Sequence, residues 1–444
     1  MSPWYSLVFP RRLRGEIVPL VTRVLNSKTV GNTAWVGGAS AATALLGAAS
    51  SAIYGRGLGV EDFGVLTVII SLISMMVAFA DLGISGSIVR FAAEAVARND
   101  NDRVKAVLSV ALKGKAILSL VVLAAALLFL NPIVSAVFTR VDERITSYFL
   151  LSLVAVAGGM AASYFPPVYQ SFQRFRAQAI ISVVPSVGKV AALALIAFAF
   201  SSLTISAGIW VEVGSAVLLF ALGWMWSPVK RITWKGGDPA LRRQMLSFNK
   251  WLSLYYVLNL LGGRVDLFLV GGLSDDHALG LYGSASKIAA MVIIASNAYL
   301  TVLLPELSSS LTADVLRKKL RQAFMVIGLF AIGIAILAAL ADVVVLVIFG
   351  PAFAGAGLVL RVMCLGLLFT VLSAPLNAAL FAWNTSVAFP VMSGVAILAL
   401  VVGNVILIPQ YGVLGAASAY SIGGIVGFLI SSVIYFSVSR RRTA

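Results

Sequence analysis

Long apolar runs separated by short polar turns make up nearly the whole chain. A helix needs about 20 predominantly apolar residues to cross the hydrocarbon core of a bilayer. We therefore predict an all-α polytopic membrane protein with about twelve transmembrane helices. The predicted spans cover roughly residues 33–55, 64–88, 107–130, 147–165, 178–200, 204–226, 249–272, 279–303, 322–349, 354–382, 389–408 and 412–436.

Basic residues concentrate in every second connection between these runs, in the segments 90–105, 174–176, 230–250, 317–321 and 440–442. Cytoplasmic loops of membrane proteins carry an excess of Lys and Arg. The pattern therefore predicts a multi-pass protein of the cell (cytoplasmic or inner) membrane with both termini in the cytoplasm. The intervening, outer connections then hold the acidic residues Glu61, Asp62, Asp142, Glu143, Asp275 and Asp276.

A weak internal repeat predicts that the chain forms two lobes of six spans. Leu58–Gly64 resembles Leu273–Gly280 with one inserted residue, and Leu58 and Leu273 are 215 positions apart. Both turns are predicted to follow the first span of a lobe on the outer side, which indicates a parallel repeat. The predicted organisation is a cytoplasmic amphipathic lead-in (1–32), an N-lobe (33–226), a cytoplasmic linker (227–248), a C-lobe (249–436) and a basic cytoplasmic tail (437–444).

Composition excludes several classes of protein. Of the residues, 60% are hydrophobic and only 11% are charged, against about 25% in a soluble protein. The net charge of +16 would suggest nucleic acid in a soluble chain. Here the basic residues lie in loops, so we expect no nucleic-acid partner. Because the chain has one Cys and one His, we also expect no metal site, cofactor or nucleophile–base pair.

Four cations, Lys189, Arg264, Lys287 and Arg361, lie inside predicted spans of both lobes. Charges there are costly and usually face a water-filled cavity or a partner. Arg264 and Asp266 are two residues apart, so on a continuous helix they would point to different faces. The group favours a hydrated cavity that receives an anion. Phosphate or pyrophosphate fits the forked donors of Arg and the compact charge of Lys. Interhelical salt bridges with a purely structural role are the alternative.

Other charged residues near or within the spans leave two interpretations open. Arg90 either extends the substrate cavity or anchors a span end by reaching the interface. Asp81, Glu212 and Asp266 are candidates for coupling to H⁺ or Na⁺, because carboxylates in low-dielectric sites can exchange charge near working pH. Asp81 also precedes a glycine-broken stretch, where it could simply satisfy freed backbone groups.

Several motifs, in their order and spacing, resemble one family across almost the whole chain. They are Gly57–Gly64 (GLGVEDFG), Ala80–Ile84 (ADLGI), Val89–Phe91 (VRF), Val265–Leu273 (VDLFLVGGL), Leu279–Tyr282 (LGLY) and Ile408–Ala417 (IPQYGVLGAA). With these motifs the chain resembles the polysaccharide-type lipid-linked oligosaccharide flippases (Wzx-like proteins) of the MATE/oligosaccharidyl-lipid transporter (MOP) superfamily.

The resemblance implies a V-shaped bundle of two six-helix lobes. It implies a transporter, not an enzyme, that moves a polyprenyl-pyrophosphate-linked oligosaccharide from the cytoplasmic to the outer leaflet by alternating access. The cations Lys189, Arg264, Lys287, Arg361 and Arg90 would then hold the pyrophosphate and glycan. Membrane lipids, H⁺ or Na⁺, and polysaccharide-assembly proteins are the further partners that such a protein would have.

Three other functions remain open at this point. A cation-coupled exporter of drugs or metabolites belongs to the same superfamily, but it would favour acidic cavities, and the basic bias argues against it. A membrane glycosyltransferase or polymerase would need a carboxylate-bearing loop or domain, and the loops are short and basic. A lipid scramblase without energy coupling fits the same pattern of spans.

Overall fold

The computed structural model describes residues 28–139, 141–200, 203–229, 239–308, 313–383 and 388–443, so most of the predicted lead-in lies outside it. Within these ranges every regular element is a helix. The first half contains α1 (Lys28–Leu58), α2 (Val60–Phe79), α3 (Ile84–Ser87), a π-helix (Ile88–Ala92), α4 (Ala93–Ala97), α5 (Asn101–Leu128), α6 (Leu130–Val137), α7 (Glu143–Ala162), α8 (Phe165–Ser171), α9 (Phe175–Phe200) and α10 (Ile205–Met225).

The second half contains α11 (Pro239–Gly262), α12 (Val265–Leu273), α13 (Asp276–Ser308), α14 (Ala313–Ala339), α15 (Ala341–Phe349), a 3₁₀ turn (Pro351–Phe353), α16 (Ala356–Ala382), α17 (Ala388–Tyr411) and α18 (Val413–Thr443). Eleven helices in the described ranges are long and apolar enough to cross a membrane. They correspond to eleven of the twelve predicted spans. The all-α polytopic fold is therefore confirmed.

The remaining predicted span, 249–272, is not one helix. α11 begins earlier, at Pro239, and ends at Gly262, whereas α12 begins at Val265. Arg264 between them has φ −141° and ψ −17°, outside the helical region. Two successive glycines, Gly262 and Gly263, lower the cost of leaving the helix, because glycine is a poor helix former. The prediction of a continuous helix was wrong here, and the break changes where Arg264 lies.

The second predicted span, 64–88, is also interrupted. α2 ends at Phe79, and Leu82 (φ 37°) and Gly83 (φ 79°) follow in the left-handed region. That conformation is easy for glycine but strained for leucine. The turn then leads into α3 and the π-helix, an element that is frequent at functional sites. The interruption places Asp81 on a turn instead of in a regular helix.

The helices pack as two groups that follow the halves of the chain. In the first, α1 packs against α9, and α7 packs against α2 and α10. In the second, α16 packs against α13, α14 and α18, while α17 packs against α18. The main contact between the halves is α2 against α13, with α1 also touching α13. α2 and α13 each begin within one copy of the repeated turn, so the two copies of the repeat lie against one another in the structure.

The two halves are closely joined at the end of the bundle that carries the repeated turns. We call this contact the lobe junction. A Cβ added to Gly64 would lie 2.7 Å from the Gly280 amide nitrogen and 2.8 Å from the Asp276 carbonyl oxygen. Phe63 stacks edge-on against Phe349 and Phe353, with ring centroids 5.4 and 5.5 Å apart. The junction is therefore a close helix crossing surrounded by buried aromatic rings.

Polar contacts also cross the lobe junction. Arg56 at the end of α1 donates to the Ile348 carbonyl at 3.1 Å and to the Val347 carbonyl, both in the last turn of α15. Cations are favoured at helix C-termini, where carbonyls lack partners. The Thr139 amide donates to the Gly271 carbonyl at 3.0 Å, near the end of α12. Donors of the first half thus satisfy carbonyls in the last turns of two helices of the second half.

At the opposite end, the halves meet through the first turns of α11. The Ser87 hydroxyl donates to the Met245 carbonyl at 3.3 Å. Leu241 and Met245 are buried in a cluster with Ile88 and Phe91. The space between these two contact regions is the cavity described next.

Candidate functional site

A cavity of about 650 Å³ lies between the halves. Its volume is within the usual range for ligand sites, about 300–1,000 Å³. From the first half, one face of α1 contributes Ser40, Thr43, Gly47 and Ser51. From the second half, the α11–α12 break, α13, Met363 of α16 and Tyr420 of α18 complete the wall. The wall of the cavity therefore comes from both halves.

Arg264 and Lys287 are the cations in the cavity wall. Both are half-buried. In the part of the chain that the structure describes, neither side chain has an ion pair or a hydrogen bond. Arg264 is placed here by the helix break, whereas Lys287 projects from the regular helix α13. Two cations in one cavity wall make the site favourable for an anion.

Lys189 and Glu212 form an ion pair beside the cavity. Lys189 on α9 donates to Glu212 on α10, and its ammonium lies 5.8 Å from the centre of the Tyr54 ring. Both members of the pair interact electrostatically with Lys287. Neither belongs to the cavity wall. Sequence reasoning identified both residues but not their pairing, which depends on the packing of α9 against α10.

Asp266 lines the cavity two residues after Arg264. It is 6% exposed, accepts a hydrogen bond from the Tyr282 hydroxyl at 2.5 Å, and accepts another from the Leu267 amide at 2.8 Å. The bond from Tyr282 ties α12 to α13. Because Arg264 lies outside α12, both residues reach the same cavity, which differs from the expectation for a continuous helix.

Asp81 lies away from the cavity wall, in an ion pair with Lys115 of α5 at 2.8 Å. The Ser85 hydroxyl donates to Asp81 at 2.6 Å. The Lys115 side chain is 4% exposed and also donates to the Ser163 carbonyl oxygen at 2.9 Å. Sequence reasoning missed Lys115, although a lysine within an apolar run was the signal used for the other cations.

We expect that breaking the Asp81–Lys115 pair destabilises the protein. Removing one member of a buried pair leaves an uncompensated charge and costs about 3–5 kcal/mol. Asp81→Asn and Lys115→Met should each lower the free energy of unfolding in detergent by an amount of that order, and the double variant should recover much of the loss. Single variants as stable as wild type, or a double variant no better than the worse single one, would contradict this structural role.

Arg361 and Arg90 are not brought into the cavity wall. Arg361 is exposed, pairs with Asp342 at 2.7 Å and donates to the Ala338 carbonyl at 3.2 Å. Arg90 is exposed on the π-helix, with its guanidinium carbon 5.7 Å from the centre of the Phe91 ring. Of the eight residues predicted for the site, the structure places Arg264, Lys287 and Asp266 in the wall and the Lys189–Glu212 pair beside it.

The fold is similar to solved transporters of the MOP superfamily. A multidrug resistance MATE family transporter in an inward-facing conformation matches with a TM-score of 0.77 and 15% identity, over 89% of this chain and 96% of that chain. The lipid II flippase MurJ, in an inward closed conformation, matches with a TM-score of 0.72 and 16% identity, over 89% and 86%. This chain is therefore a multi-pass membrane protein with the MOP transporter fold.

The family follows from the sequence itself. The model of the polysaccharide biosynthesis protein family matches residues 29–311, which is more than half of the chain, and the chain belongs to that family. This family match agrees with the resemblance to Wzx-like flippases of the MOP superfamily, and the solved structures of that superfamily share the fold. Among curated proteins, none matches this sequence.

The outward-facing form of a multidrug resistance MATE family transporter has a similar fold as well. It matches with a TM-score of 0.64 and 14% identity, over 94% of this chain and 98% of that chain.

Proposed function

We propose that this transporter flips a polyprenyl-pyrophosphate-linked oligosaccharide from the cytoplasmic to the outer leaflet of the cytoplasmic membrane, for export of a cell-surface polysaccharide. The observation that carries the proposal is the pair of cations, Arg264 and Lys287, in the wall of the cavity between the halves. A diphosphate is the part of such a substrate that this pair fits. The basic loops of the sequence support a cytoplasmic location for both termini.

The cavity wall offers groups that complement both the diphosphate and the sugars of the substrate headgroup. Arg264 supplies a planar fork of donors and Lys287 a compact charge, which together match adjacent phosphoryl groups. Ser286, Asn259 and Tyr420 in the same wall can exchange hydrogen bonds with sugar hydroxyls. Partial burial strengthens the charge interactions relative to bulk water.

Translocation in this proposal is a movement of the two halves about the cavity. Opening the lobe junction while the inner contact stays closed would expose the bound headgroup to the outer side, as alternating access requires. Glu212 and Asp266 remain our candidates for H⁺ or Na⁺ coupling because both lie at or beside the cavity. Asp81, held by Lys115, is the weaker candidate.

Flipping in proteoliposomes tests the proposal. Purified protein receives a fluorescent polyprenyl-pyrophosphate oligosaccharide, and its movement between leaflets is followed with and without a pH, sodium or voltage gradient. We expect gradient-dependent movement that loses its gradient dependence in Glu212→Gln. The matched control is Glu94→Gln, which removes an exposed carboxylate paired with Arg98 at 2.8 Å.

Two results would overturn this assignment in different ways. Export of a small cationic dye, with no movement of the lipid-linked sugar, would place the protein with exporters of drugs or metabolites. Rapid movement that ignores every gradient would identify an uncoupled scramblase and exclude a coupling role for Glu212 and Asp266.

A further inference from the structure

A second recess lies on the side of the first half, between α1 and α9. We call it the lateral groove. It has a volume of about 520 Å³ and is lined by Gly38, Ala39 and Ala42 of α1 and by Ala179, Ile180 and Val184 of α9, with Trp35 at one end. Its lining side chains are apolar except for the indole nitrogen of Trp35. Both helices are long and apolar enough to span a membrane, and an apolar recess on such helices is suited to a lipid chain.

We propose that the lateral groove holds the isoprenoid chain of the lipid-linked substrate. This inference rests on the function proposed above and adds a binding site for the part of the substrate that the central cavity leaves out. Gly38, Ala39 and Ala42 have little or no side chain, so α1 and α9 leave a narrow slot between them. From Trp35 to Ala42 the slot extends about 10 Å along α1, given a rise of 1.5 Å per residue. A single slot suits a single-chain lipid better than the paired chains of a phospholipid.

A cation marks the Trp35 end of the groove. The Arg176 guanidinium carbon lies 5.4 Å from the centre of the Trp35 ring, and Arg176 is exposed. Both residues lie at the start of their spans, where Trp and Arg typically occupy the membrane interface. A lipid with its chain in the groove would therefore place its phosphates beside Arg176, so the charge at this end is complementary to the proposed occupant.

α1 forms a common wall of the groove and of the central cavity. Ser40, Ala44 and Gly47 face the cavity, whereas Gly38 and Ala42 face the groove. The helical period of 3.6 residues places these two sets on different sides of one helix. The groove is thus separated from the cavity by a single helix rich in small residues, and a lipid held there lies beside the cavity that takes its headgroup.

Photo-crosslinking tests the occupant directly. Benzoyl-phenylalanine is placed at Ile180, which lines the groove, and at Val187, which is also exposed on α9 but outside it. The probe is a polyprenyl-pyrophosphate oligosaccharide in vesicles of phosphatidylglycerol and phosphatidylethanolamine. We expect several times more adduct at position 180 than at 187, with competition by polyprenyl phosphate but not by added phosphatidylglycerol. Arg176→Gln should weaken the polyprenyl competition about tenfold, the scale of one charge-assisted hydrogen bond.

Equal adduct at the two positions, or equal competition by phosphatidylglycerol, would mean annular lipid only and would overturn the proposal. Ile180→Trp provides a second test. It fills the groove and should slow flipping, whereas Val187→Trp should leave the flipping rate unchanged. The groove and the proposed function can fail separately. Selective crosslinking without any flipping would contradict the proposed function but would support the groove as a polyprenyl site. Flipping with unselective crosslinking would contradict only the proposal for the groove.

Discussion

Replacing Arg264 or Lys287 by alanine is expected to lower the rate of lipid-linked oligosaccharide flipping at least about tenfold, the equivalent of 1.4 kcal/mol. Each cation lies in the cavity wall with no ion pair or side-chain hydrogen bond to another described residue. A hydrogen bond to a charged group contributes about 1.5–3 kcal/mol, so losing one phosphate contact is sufficient for this effect. Because both cations are proposed to contact the same diphosphate, their effects should not be additive.

The matched control for this prediction is Arg361→Ala. Arg361 is also a cation within a span, but it is exposed and pairs with Asp342 outside the cavity. Exposed pairs contribute only about 0–1 kcal/mol, so this variant should flip at close to the wild-type rate. The assay compares initial rates per molecule inserted in the vesicle. Wild-type rates in both Arg264→Ala and Lys287→Ala would show that these cations do not bind the substrate.

Replacing Gly280 by valine is expected to block flipping almost completely by preventing closure of the lobe junction. A Cβ at this position would overlap the Val60 carbonyl oxygen, which belongs to the backbone and cannot rotate away. Inserting side-chain atoms into a packed contact costs about 1–3 kcal/mol or more. The variant should therefore disfavour the state with the junction closed, and a cycle that needs both states would stall. Gly280→Ala should have the same effect to a smaller degree.

Gly333→Val is the control for the junction. Gly333 lies in α14, which is long and apolar enough to cross a membrane, and no atom of another described segment lies within 4 Å of its added Cβ. The same change of side chain is therefore made without a close neighbour. Equal flipping by Gly280→Val and Gly333→Val would show that transport does not depend on the close approach of α2 and α13.

The number and course of the spans were largely predictable, because membrane spans depend on local hydropathy. The two interruptions were not. Gly262–Gly263 and Leu82–Gly83 lie within apolar runs, and a hydropathy window measures length and apolarity but not backbone conformation. The first interruption matters for function, since it turns Arg264 and Asp266 toward one cavity when a continuous helix would have separated them.

The sequence indicated which charged residues were candidates for the site, but not which of them lie together in the structure. A charge in an apolar run indicates that a partner or a cavity exists, and it does not say which. Lys189 and Glu212 are 23 residues apart on α9 and α10, and Arg361 and Asp342 are 19 apart on α16 and α15. Their pairing is a result of helix packing. Once these partners are assigned, Arg264 and Lys287 remain as the cations of the cavity wall.

The repeat predicted two equivalent turns but not the contact between them. Leu58–Gly64 and Leu273–Gly280 were recognised as equivalent turns from the sequence. The structure adds that Gly64 and Gly280 lie against one another, which requires a residue without a side chain in both copies. The close helix crossing at the lobe junction therefore explains why both copies of the repeat end in a glycine.

The most direct measurement is an experimental structure of the protein with a polyprenyl-pyrophosphate oligosaccharide bound. The account predicts that the diphosphate lies in the central cavity, within hydrogen-bonding distance of Arg264 and Lys287, with its sugars toward Ser286 and Asn259. A diphosphate bound elsewhere, with both cations facing only water, would contradict the central claim.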